Sequence, residues 1–167
     1  MEVVKTTLGD LNECYSKIEF SDVYQTILEE AIIYNNESEY DKTTYNIIGG
    51  NITDKALLSY TGKYKDDNIE IVDKLLFNSK NKYSVSIIKK NNKKIKLIKG
   101  APDKIIKASN LYIDINGKAK VLDRERLINY INKETSKGLR AVAVAISDST
   151  YDITSIRKNT LVGVVFI

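Results

Sequence analysis

The 167-residue sequence contains no histidine and no tryptophan, one cysteine (Cys14), one proline (Pro102) and one methionine. A single thiol forms no internal disulfide, so nothing calls for an oxidising compartment and a reduced cytosolic setting is expected. Without histidine, a transition-metal site would need carboxylates alone, and no Asp/Glu cluster has that spacing; no metal ligand is expected. No N-terminal apolar run has the length of a signal peptide, and no stretch approaches the roughly 20 apolar residues of a membrane span. Also missing are a GxxxxGK[ST] loop, a GxGxxG fingerprint and any nucleophile paired with a base. Binding is therefore expected, and no catalytic residue is assigned.

What is present is a hydrophobic content of 43%, enough for a real core, in a chain of one-domain length; residues 1–167 are expected to form a single domain. Charged residues make up 29%, and the excess of positive charge is local. Between Asp73 and Lys107 stand eleven Lys against two Asp, a charge of +9, while the rest of the chain sums to −5. The first 72 residues carry −8. The C-terminal LVGVVFI stops within an apolar, strand-like run, which reads as a chain cut from something larger.

Val3, Val4 and the following Thr pair suit a short extended segment. Residues 21–35 place Val23, Ile27, Ala31 and Tyr34 at helical spacing behind Ser21 as N-cap. After the polar loop NNESEYDKTT and Gly49-Gly50, Thr53 is positioned to cap a second helix with Ala56, Leu57 and Tyr60 on one face and Gly62 as its stop. Residues 69–77 and 83–89 alternate like strands, and Asn91-Asn92 turns the second into a returning strand through Lys99. Pro102 opens a short helix to Ala108. Asn116-Gly117 signals a two-residue hairpin between 111–115 and 119–122. Asp123 caps a helix that Gly138 ends; 139–146 reads as a central strand and 161–167 as the last one. The fold class expected is α+β, an antiparallel β-sheet flanked by helices.

Four stretches carry candidate chemistry, each with a plain structural reading beside it. Phe77 opens FNSKNKYSV. A strand aromatic is usually core, yet Lys80, Lys82 and the polar Asn78, Ser79 and Asn81 suit a ring stacked on a flat anionic ligand, worth roughly 1–3 kcal/mol. In KGAPDKI, Lys99, Gly100 and a Pro-initiated helix combine a cation, a close backbone approach and an anion-attracting helix start; Gly-Ala-Pro is equally a common strand-to-helix connection. In GGNITDKALL, Asp54 is either ordinary first-turn helix chemistry or an acceptor for the exocyclic amine of adenine. In GLRAVAVAI, Arg140 either pairs with a surface carboxylate or grips phosphate oxygens. Other readings stay open: a nucleic-acid-binding module using the Lys-rich hairpin, or an α+β scaffold with a solvated basic face. Only Phe77 and Tyr83 interrupt the lysines, and the acidic first 72 residues would repel a long polyanion.

In order and spacing, FNSKNKYSV, KGAPDKI, GGNITDKALL and GLRAVAVA resemble the nucleotide-binding (N) domain of cation-transporting P-type ATPases, most closely the calcium and sodium/potassium pump branch. The resemblance spans essentially the whole chain. It implies that Phe77 stacks on adenine, that Lys82 and Lys99 line the pocket near base and phosphates, and that Gly100 lies against the ligand. Asp54 would match the acidic residue facing the adenine amine, and Arg140 the arginine near the phosphates. Ser84 stands where the sodium/potassium branch has a longer amide, Asn51-Ile52 where Glu or Gly-Asp-Pro is frequent, and Asp54 is one methylene shorter than the usual Glu. The DKTGT aspartate, TGD and GDGxND motifs do not occur. The resemblance thus implies a cytoplasmic domain of an integral membrane pump that holds ATP and has no direct membrane contact. Its partners would be the phosphorylation and actuator domains, with Mg2+ serving in the parent protein and no nucleic acid bound. One stacking contact and screened lysines set the expected affinity near millimolar, about −4 kcal/mol.

Overall fold

The computed structural model describes residues 1–167. Its first half comprises β1 (Lys5–Thr7), β2 (Glu13–Cys14), a 3-10 turn (Lys17–Glu19), α1 (Asp22–Ile33), β3 (Glu39–Tyr40), β4 (Ile47–Ile48), α2 (Ile52–Thr61) and β5 (Glu70–Leu75). The second half comprises β6 (Tyr83–Lys90), β7 (Lys93–Gly100), α3 (Pro102–Lys107), β8 (Ser109–Ile113), β9 (Ala119–Val121), α4 (Arg124–Thr135), β10 (Ala141–Ser147) and β11 (Asn159–Phe166).

The turn at Asn91-Asn92 adopts φ of 51° and 62°, the left-handed pair that a tight hairpin requires, and it sets β6 against β7 over eight residue pairs. That hairpin joins a nine-stranded sheet whose main path runs β2-β1-β11-β10-β7-β6-β5. The sheet is antiparallel except where β8 runs parallel to the first residues of β11, and β9 completes that side by pairing with β8. The parallel contact arises because one edge of β11 is shared. Residues 159–161 meet β8 and residues 164–166 meet β1, while α3 carries the chain from β7 to that edge.

Both faces of the sheet are covered, which is why the LRAVAVAI segment shows no alternation of polar and apolar residues. In β10, Val142 and Val144 pack with Leu28, Ile32 and Leu57 of α1 and α2. Ala143 and Ala145 pack with Ile105, Ile106 and Leu127 of α3 and α4 on the other side. The small residues face α3, the helix that closes directly over the strand.

Four local features differ from the sequence expectation. The buried stripe of α1 is Tyr24, Leu28, Ala31 and Ile32, while Val23 is 56% exposed. Tyr24 can be buried because its hydroxyl donates to the Val162 carbonyl at 2.7 Å. The N-cap of α2 is Asn51, whose Oδ1 accepts from the Asp54 N–H at 2.8 Å; Thr53 lies inside the helix. Strand β5 ends at Leu75, so Phe77 belongs to the following loop. Asn116 keeps a negative φ and only Gly117 is left-handed (83°), so the β8–β9 connection is a longer turn closed by Asp114 N–H donating to Lys118 O. Ser21 and Asp123 cap α1 and α4 as expected, and Gly62 ends α2 at φ 63°.

Candidate functional site

The hairpin and sheet registers bring the end of β5, the start of β6, the end of β7 and the start of β10 to one end of the sheet. Ser84 lies opposite Lys99, and Gly100 lies between Tyr83 and Ala143. The C-terminal end of α1 and the first turn of α2 complete a cavity of about 460 Å3 there. Asp54, Phe77, Lys82, Ser84, Lys99, Gly100 and Arg140, separated by as many as 86 positions, all line it. Ser79, one of the polar neighbours of Phe77, lines it as well, as do Asn35, Glu37, Asn51 and Thr53, which the sequence did not offer as ligand contacts.

The floor is a buried polar network. Lys99 Nζ donates to Asp54 Oδ1 at 2.6 Å and to the Asn35 carbonyl at 2.7 Å. Burial pulls the Lys99 ammonium below the usual lysine range, and the charge and hydrogen bond of Asp54 oppose that shift. Asn35 Nδ2 donates to the carbonyls of Ser84 (3.1 Å) and Leu97 (3.2 Å), and its Oδ1 accepts from Ser86 Oγ. Asn36 Nδ2 donates to the Asp54 carbonyl at 3.0 Å. The two asparagines thus tie the end of α1 to β6, β7 and the start of α2. Their only sequence signal is the polar NNES directly behind a helix, which reads as an ordinary loop.

The wall carries the ring. Phe77 is 57% exposed, an unfavourable disposition for a core aromatic. Its loop is held by Lys82 N–H donating to the Asn78 carbonyl (2.8 Å) and Asn81 N–H donating to Asn78 Oδ1 (2.7 Å). Lys82 has φ 63°, and its carbonyl accepts from the Ala101 N–H at 2.9 Å. A Cβ on Gly100 would overlap that carbonyl and come within 2.6 Å of Tyr83 Cα. The protein's own backbone therefore demands the glycine, whatever a ligand requires.

Also lining the cavity, Arg140 donates through Nη1 to Thr53 Oγ1 at 2.7 Å, and its backbone exchanges two hydrogen bonds with Ile167. Neither Lys82 nor Arg140 pairs with a carboxylate, so the upper cavity keeps cationic donors to offer. In the lysine-rich hairpin, by contrast, Lys89, Lys93 and Lys94 are exposed at the tip and do not line the cavity. Lys96 and Lys99 are buried, and Lys90 pairs with Glu30. The arrangement offers a flat apolar surface, a polar floor and two cations, with no side chain set up as a nucleophile.

No helix is long and apolar enough to cross a membrane. No curated protein matches the sequence. The family described as P-type ATPase, cytoplasmic domain N, matches residues 23–166, from the first turn of α1 to the end of β11 and across the whole cavity. With that match over most of its length, the chain belongs to the N-domain family of P-type ATPases, the cytoplasmic nucleotide-binding domain of membrane pumps.

Proposed function

We propose that this cavity binds ATP for a cation-transporting P-type ATPase of the calcium or sodium/potassium pump branch. Adenine stacks on the exposed face of Phe77, and the triphosphate runs past Lys82 toward Arg140. The Lys99–Asp54 pair, with Ser84 and Gly100, forms the floor beneath it. The convergence of seven separated residues on one cavity, with a half-exposed ring at its wall, carries this reading. The γ-phosphate is presented to an aspartate in a separate phosphorylation domain, and the actuator domain is a further partner within the pump. Magnesium accompanies the nucleotide in the parent pump and takes no ligand from this chain. The whole pump resides in the cell membrane with this domain on the cytoplasmic side.

An NMR titration with ATP, AMP and GTP, run beside a Phe77→Ala variant, tests the proposal. ATP and AMP are expected to shift the same amides around Phe77, Lys99 and Asp54, and the variant to lose the response. Unsaturable shifts, or a variant that responds like the wild type, would remove the pocket assignment.

A further inference from the structure

We propose that Glu37, and not Asp54, is the carboxylate that selects the base of the bound nucleotide, favouring a ring with an exocyclic amine over one with a carbonyl at that position. The proposal rests on the ATP-binding reading above. Two carboxylates line the cavity, and they differ in what they have left to offer. Asp54 is paired and buried: Oδ1 accepts from the Lys99 ammonium at 2.6 Å, Oδ2 accepts from the Glu37 N–H at 3.3 Å, and the side chain is 8% exposed, so its charge is already balanced by Lys99. Glu37 is held by its backbone but free at its tip. The N–H bond to Asp54, and the neighbouring Ser38 N–H donating to Asn36 Oδ1 at 2.7 Å, fix its main chain.

The Glu37 side chain is 47% exposed; its charge also acts on Lys99, and its ion-pair partner is Lys74 at 3.6 Å. That separation is longer than the roughly 2.7–2.9 Å of a charge-assisted hydrogen bond, so both carboxylate oxygens remain able to accept. Lys74 lies in β5, three residues before Phe77, and Glu37 lines the same cavity as that ring. An ionised carboxylate only accepts hydrogen bonds. It takes the N–H of a 6-aminopurine and repels the oxygen of a 6-oxopurine, while stacking on Phe77 treats the two rings alike.

Affinities of the 167-residue chain for ATP and inosine triphosphate, which differ in the 6-substituent and in the proton that the 6-oxopurine carries on N1, test this in the wild type, Glu37→Gln and Phe77→Ala. The wild type is expected to prefer ATP about tenfold, corresponding to about 1.4 kcal/mol. Glu37→Gln, whose amide both donates and accepts, brings the ratio to about one with an unchanged unfolding midpoint, because the side chain is half-exposed. A wild-type ratio near one, with binding that still depends on Phe77, overturns the role of Glu37 and leaves ATP binding standing. A ratio that survives in Glu37→Gln also overturns it and moves selection to another group. Failure of both nucleotides to saturate, or binding unaffected by Phe77→Ala, removes the ATP reading itself and the proposal with it.

Discussion

Lys99 Nζ and Asp54 Oδ1 lie 2.6 Å apart with both side chains under 10% exposed, joining the end of β7 to the first turn of α2 beneath the cavity. Removing one partner leaves the other charge buried alone. Asp54→Ala is expected to cost about 3–5 kcal/mol, whereas replacing both members with apolar residues of similar volume costs far less. Urea unfolding followed by circular dichroism measures both variants. Equal losses in the single and double variants would mean that the network around Asn35 holds the floor without the ion pair.

A second charge cluster contributes stability that is lost in acid. Lys5, 5% exposed in β1, donates to Glu13 and to Glu134 of α4 at 2.9 Å each. The Lys5 hydrogen bond leads in holding Glu134 below its ordinary 4.5, and Tyr15 followed by Lys5 does the same for Glu13. A carboxylate with a lowered folded-state pKa contributes stability above its unfolded value and loses it as the pH falls through the folded value. The urea midpoint is therefore expected to drop as the pH falls below 4.5, and Glu134→Gln to flatten that drop while lowering stability at pH 7. A wild-type curve flat from pH 7 to 3 would contradict this.

Gly100→Ala probes the junction of cavity and sheet. The added methyl meets Lys82 O and Tyr83 Cα, backbone atoms that cannot swing aside, and overpacking of this kind costs about 1–3 kcal/mol. Because Lys82 O also accepts the Ala101 N–H, relief of the clash displaces the loop between Phe77 and Lys82. Loss of stability together with shifted Phe77 resonances is the expected result. Full stability in the variant would show that β6 and β7 can separate at this end without cost.

The helices and the central hairpin were legible because their signals are local. Ser21 and Asp123 cap, Gly62 stops a helix in the left-handed region, and Asn91-Asn92 turns the hairpin within its own two residues. The misreadings turn on distant partners. Asn51 and Thr53 are both good caps two positions apart, and Thr53 meets its partner, the Arg140 guanidinium, 87 residues away. The parallel β8–β11 contact depends on how β1 and β8 divide one strand edge, which no short window shows. The candidate site shows the same division. Its motif residues could be named one by one, but Asn35 earns its place through Ser84 and Leu97, 49 and 62 positions on. Glu37 likewise reads as any loop acid, because only the fold brings it to the cavity wall beside Asp54.

Cys14 supplies a probe of the sheet edge. It is 1% exposed in β2, and burial, followed by the nearby Glu19 and Asp10, pushes its thiol up to about 11. Almost no thiolate is present at pH 8, and the sulfur is out of reach. A thiol-reactive disulfide reagent is expected to label the native chain only as fast as it opens, and the unfolded chain at once. Labelling of native protein at the unfolded rate would show that β2 is detached from β1 in solution.

Arg140 distinguishes a phosphate contact from a scaffold contact. One of its nitrogens is spent on Thr53 Oγ1 in the first turn of α2, and the remaining N–H donors face no carboxylate. If those donors meet the triphosphate, Arg140→Gln weakens ATP about threefold to tenfold and leaves adenosine binding unchanged, as expected of a partly solvated charge contact. The difference also shrinks as added salt screens it. If the guanidinium instead serves only to hold α2 through Thr53, adenosine and ATP weaken together and Thr53→Ala reproduces the loss. Calorimetric titration of both ligands at low and high ionic strength separates the cases, because only a charge-to-phosphate contact is both triphosphate-specific and salt-sensitive.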